Sequence, residues 1–203
     1  MRVTGALFLS LFLCAADRAA AQDGRFELSG QLMTLQLGEF DATDIGAGVQ
    51  AAWRLTPAIA IDGTFAWVAG GDEISSSLFE NQQRVLGLAG LRAGISLGRA
   101  EIFGRARPGF LRFNHQDSAV CIAIAAFPLP LGCQLATGYT AVVFDAGAGA
   151  RVGLDRARRT YLRLDAGDLM IRYGLEAYRP NGQMTDGFVG HNFVFSIGVG
   201  RTF

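Results

Sequence analysis

The chain has no lysine. All 18 of its basic residues are arginine and they face 18 acids, so the formal net charge is zero at pH 7. With neither a basic patch nor an acidic tail, nothing calls for a nucleic-acid partner. Charge of either sign is scarce: charged residues make up 18% of the chain, below the ~25% of ordinary soluble domains. Long apolar runs are missing as well. After residue 21 no stretch approaches the ~18 consecutive apolar residues of a spanning helix, although half of the residues are hydrophobic. Apolar content without apolar runs means that the apolar residues are dispersed, and strand alternation disperses them at every second position.

Cysteine is nearly absent, with three residues in 203. Cys14 lies in a segment with Arg2, an apolar run from Ala6 to Ala16, and Ala19-Ala20-Ala21 before Gln22. A positive start, a short apolar core and an A-x-A pattern describe a secretory signal peptide over residues 1–21. The alternative, a lipoprotein anchor on Cys14, is disfavoured by the bulky Phe12 and Leu13 before it. Residues 22–203 are then one domain, with 16 arginines against 17 acids once Arg2, Arg18 and Asp17 are removed. Cys121 and Cys133 remain, and an even pair in an exported chain reads as a disulfide.

Eight alternating stretches follow. They cover 25–37, 45–55, 58–68, 84–97, 100–113, 139–153, 160–173 and 188–203. The second is the cleanest: Ile45, Ala47, Val49, Ala51, Trp53 and Leu55 point one way, and Gly46, Gly48, Gln50, Ala52 and Arg54 the other. In the fifth, Pro108-Gly109 suggests a bulge beyond which Leu111 and Phe113 turn outward and Arg112 inward. In the seventh, Gly167-Asp168 suggests another, after which Leu169, Ile171 and Tyr173 take the outer face. The links alternate long and short, at 38–44, 56–57, 69–83, 98–99, 114–138, 154–159 and 174–187. A soluble sandwich has no reason to place every long loop at one end. A membrane-spanning barrel does.

The last stretch ends FVFSIGVGRTF, with Phe193, Phe195, Ile197, Val199 and Phe203 on one parity and small or polar residues on the other. This ending resembles the closing strand of small outer-membrane proteins of the OmpA/OmpX-like superfamily. The resemblance covers essentially all of 22–203, with Arg201 as a departure where an apolar residue is usual. It implies an all-β fold, an eight-stranded antiparallel up-and-down transmembrane β-barrel, in the outer membrane of a Gram-negative-type bacterium. It further implies that the terminal Phe is an assembly signal, read by the barrel-assembly machinery after transit with periplasmic chaperones. Outer-membrane lipid and lipopolysaccharide would surround a monomer.

The inner parity collects charge: Glu27, Asp62, Asp145 and Asp165 against Arg54, Arg92, Arg105, Arg107, Arg151 and Arg163. An eight-stranded barrel is just wide enough to be filled by side chains, and buried charges must pair. An ionic plug is therefore expected, with a narrow solute channel gated by exchange of arginine partners as the alternative. A lipid A-modifying enzyme is a third reading, resting on His115 near Ser118 and His191 near Ser196. Neither pair has the spacing of a nucleophile and base on one strand face, so the chain is read as no enzyme, with no cofactor or metal. Between Cys121 and Cys133 every residue is apolar, Gly or Pro. That segment either caps the barrel mouth or contacts a partner, giving an expected structural or adhesive role for the loops.

Overall fold

The computed structural model describes residues 25–38, 42–69, 83–113, 119–122, 132–135, 140–157, 159–173, 177–178, 184–185 and 187–203. Residues 1–21, expected to be a signal peptide, and His115 and Ser118 lie outside them. The strands are β1 Phe26–Leu37, β2 Ala42–Arg54, β3 Ile59–Ala69, β4 Arg84–Leu97, β5 Ala100–Phe113, β6 Ala119–Ile122, β7 Gly132–Leu135, β8 Thr140–Gly153, β9 Thr160–Tyr173, β10 Ala177–Tyr178, β11 Met184–Thr185 and β12 Phe188–Thr202. Eight of them close a barrel in the order β1-β12-β9-β8-β5-β4-β3-β2, while β6-β7 and β10-β11 are separate two-stranded pairs. All pairings are antiparallel between chain neighbours around the wall, and β12 closes on β1.

The ladder climbs as it goes round. From Phe26 it passes Trp53, Ile61, Leu91, Ala106, Ala146, Asp168 and Phe193 and returns to β1 at Gln36, ten residues further along. Closing a barrel demands such a stagger and tilts the strands by roughly 35–45°. One rim carries the tight turns, including Gly98, whose φ of 66° suits glycine. The other carries the long links.

Large apolar side chains cover the outside. Trp53, Ile59 and Ile102 lie near the turn rim, Val49, Phe65 and Ile197 midway, and Trp67, Phe110 and Phe193 near the loop rim, all exposed. From rim to rim this band is roughly 20–25 Å tall for strands so tilted. At the turn rim the chain end seals the seam. Phe203 exchanges backbone hydrogen bonds with Phe26, and the rings run Phe203, Phe26, Trp53 with centroids 6.3 and 6.4 Å apart.

Three expectations are corrected. At Pro108 the β4–β5 ladder omits the pairs around residues 89–90 and 107–108, yet the register on either side is the same, and the β5–β8 register is continuous. Proline removes a donor there without inserting a residue, so parity does not flip: Leu111 is 0% and Phe113 6% exposed, while Arg112 faces out. No bulge interrupts β9 at Gly167-Asp168 either, because its registers with β8 and β12 run unbroken. Leu169, Ile171 and Tyr173 therefore face the lumen, as Arg163 and Asp165 do. Finally, the first link is shorter than expected, since β2 begins at Ala42 and takes Asp44 into the wall.

Candidate functional site

The lumen has two tiers. Toward the turn rim, arginines from β2, β4, β5, β8 and β9 meet carboxylates from β1, β3, β5, β8 and β9. Glu27 accepts from Arg54 Nε at 2.5 Å, Arg92 Nη2 at 2.7 Å and Arg151 Nη1 at 2.6 Å. Glu101, absent from the residues singled out in the sequence, receives Arg54 Nη2 at 2.5 Å and Arg151 Nε at 2.8 Å. Asp62 accepts from Gln50 Nε2 at 2.8 Å, Arg107 Nη1 at 2.9 Å and Arg163 Nη1 at 3.2 Å. Asp145 is held by Arg105 Nε at 2.8 Å and Arg107 Nε at 2.9 Å. Asp165 takes Arg163 Nε at 2.7 Å and a bond from Arg105.

Each guanidinium thus bridges two or more walls, which the rigid fork of arginine permits and a lysine ammonium would not do as well. Aromatic rings pack against the cations. The Arg163 and Arg92 guanidiniums both lie over the Phe103 ring, at 4.5 and 5.1 Å from its centroid, and Arg151 lies over Tyr161 at 5.3 Å. Glycines on neighbouring strands leave the room. A Cβ on Gly149 would stand 2.6 Å from the Phe103 ring, and one on Gly200 would stand 2.5 Å from Tyr161.

Toward the loop rim the lumen is apolar. Met33, Leu35, Leu37, Ala66, Val68, Leu86, Leu88, Leu111, Val143, Leu169 and Ile171 form one buried cluster. Near its upper edge Arg84 pairs with Asp44, and Asn192 donates to Leu169 O at 3.0 Å. The sequence expectation turns Leu111, Leu169 and Ile171 of this tier outward, through bulges that do not form, and places its other members on neither face. It missed Asp44 by placing it in a link. Glu101 had a signal, since it shares the parity of Arg105 and Arg107.

The outer wall carries a second arrangement. His191 Nδ1 stands 2.6 Å from Asp168 Oδ2, and Asp168 Oδ1 accepts from the Asn192 N–H at 3.1 Å. The pair is exposed, 68% and 40%. Ser196 is buried on the opposite parity, so β12 holds His191 and Ser196 on opposite faces. No group of three metal-binding side chains occurs among the described residues. Cys121 and Cys133 are directly opposed in the backbone register of β6 and β7.

No protein-family model matches the chain, and no curated protein matches it. Among solved structures it is similar to Neisserial surface protein A, NspA, at 12% identity over 89% of this chain and 98% of that one, with a TM-score of 0.54. The N-terminal β-barrel domain of Pseudomonas aeruginosa OprF is 12% identical, covering 87% and 97%, with a TM-score of 0.45. Ail, the attachment invasion locus protein of Yersinia pestis, is 14% identical, covering 88% and 97%, also at 0.45. At such identities the likeness concerns the fold, and NspA carries it.

Proposed function

For a chain that folds as the small eight-stranded outer-membrane β-barrels do, we propose a non-conducting, non-catalytic protein of the outer membrane that works through its long loops. The observation that carries this reading is the doubly closed lumen. An ion entering from the turn rim meets guanidiniums already paired with carboxylates. Beyond them it meets a layer of packed apolar side chains, which cannot replace its water. The role left to the molecule is structural or adhesive, at the loop rim.

The apolar band is the lipid face, and residues 1–21 are the export signal. Phe193, Phe195, Ile197, Val199 and Phe203 form the signal for the barrel-assembly machinery. The pair of Cys121 and Cys133 braces the longest loop as a disulfide. Directly opposed residues of antiparallel strands have Cα atoms ~4.5–5.5 Å apart, inside the ~4.4–6.8 Å a disulfide accepts.

Planar-bilayer recording of purified protein tests the closed lumen: silence is expected, and steady conductance steps would replace it with a channel. Heat-modifiable gel migration together with labelling of the long loops on intact cells, by an epitope inserted between residues 69 and 83, tests the location. A protein that stays soluble in the periplasm without detergent would end the membrane reading.

A further inference from the structure

The outward charges are not spread evenly. Among the described strand residues, the ionisable side chains on the outer face are Arg112, Asp168, Arg172, His191 and Arg201. Arg201 sits at the turn rim with its guanidinium over Phe203 at 5.6 Å. The other four share one sector, on β5, β9 and β12, with β8 between β5 and β9.

Three of them are level. Measured from the climbing ladder, Arg112 lies six residues above Ala106, Arg172 four above Asp168 and His191 two above Phe193. The ladder gains ten residues in eight strand steps. That climb nearly cancels the falling offsets, so the three stand within about one residue of a common height. They lie just above Phe110 and Phe193, where the apolar band ends. Elsewhere at this height the outer wall carries Gln36 and Thr43, which are uncharged.

Lateral spacing fits a ligand. Arg112 is opposite Thr140, and Arg172 is opposite Val142 on the same strand, so the two arginines are two strand widths apart, roughly 10 Å. Arg172 is in turn opposite Val189, whose next neighbour on that face is His191. Asp168 lies lower, within the apolar band. Its carboxylate is taken up by His191 Nδ1 and the Asn192 N–H, which leaves His191 Nε2 free to donate when the ring is protonated. The sector is cationic at the loop-rim depth where the apolar band ends.

From this we infer that Arg112, Arg172 and His191 form a docking site for a phosphate-bearing lipid headgroup of the leaflet at the loop rim. The inference rests on the membrane reading above and adds a partner to it. Arginine suits the task because its fork binds phosphate oxygens in pairs, while its stem lies along the apolar band.

The test places the protein in phosphatidylcholine nanodiscs containing either diphosphoryl lipid A or the same lipid with its phosphates removed. Bound lipid is counted by native mass spectrometry after mild detergent release. Preferential retention of the phosphorylated lipid is expected, falling roughly 30-fold in an Arg112→Gln/Arg172→Gln variant. Arg201→Gln, at the opposite rim, should retain it like the wild type. Equal retention of the two lipids, or by wild type and double variant, would overturn the site. Displacement of the lipid by millimolar inorganic phosphate would also overturn it, assigning the residues to free phosphate. Failure to enter the discs, seen as loss of the heat-modifiable band, would sink the membrane reading itself.

Discussion

Arg163 on β9 and Asp62 on β3 come from diametrically opposite walls and meet in the middle of the lumen, Nη1 to Oδ2, at 3.2 Å. The two positions are 101 residues apart in the chain. Gln50, Arg107 and Arg163 all bond to the one Asp62 carboxylate, so the wall is tied across its diameter and not only around its circumference.

Removing Asp62 leaves the buried guanidiniums of Arg107 and Arg163 short of an acceptor and takes a carboxylate from beside Arg92, 3.7 Å away. Breaking a buried pair from one side costs about 3–5 kcal/mol. Asp62→Ala should lower the urea midpoint of the folded barrel in detergent accordingly. With Arg163→Ala it should show a coupling of about 0.5–3 kcal/mol in a double-mutant cycle. An additive pair would mean that the contact is idle.

The apolar tier should respond as a packed core. Leu169 is fully buried among Leu35, Leu111 and Ile171, and Leu169→Ala should cost about 2–5 kcal/mol by leaving a cavity. Were residues 169–173 on the lipid face, the same change would be worth far less, so the unfolding midpoint discriminates the two parities directly.

Depth on the outer face makes a graded prediction. Val49 lies midway up the exposed band, whereas Thr43 lies at the height of Arg112. An arginine at 49 should destabilise the barrel in lipid by about 2–4 kcal/mol, and one at 43 by about 0–1 kcal/mol. Equal penalties in lipid-reconstituted unfolding would show that this band does not face a bilayer.

Cys121 and Cys133 are expected to be bridged in exported protein. Mass spectrometry after alkylation without reductant should find neither thiol modified, and reduction should expose both. Two alkylated cysteines in the untreated protein would remove the brace from the loop.

Consecutive residues suffice for the number of barrel strands, most of their limits and the faces of β2, β4 and the lower half of β5. Side-chain alternation in a strand is a local property with period two, and it is written in consecutive residues. Ile45 and Gln50 could not share a face, and Arg105 and Arg107 had to. Where the alternation was read against local punctuation, at Pro108 and at Gly167-Asp168, the reading failed. Whether such a residue inserts a bulge depends on the register held by both neighbouring strands.

The rest depends on how the wall closes. Which carboxylate meets which guanidinium follows from the stagger of the closed wall, which brings Glu27 together with Arg151, 124 residues away. The same closure makes the upper lumen apolar, because a narrow barrel must fill its interior and hydrocarbon fills it as well as ion pairs do. It also brings Arg112, Arg172 and His191 to one height, through offsets of six, four and two residues on three strands. Each of these outcomes is a sum of registers around the barrel, and no single strand contains it.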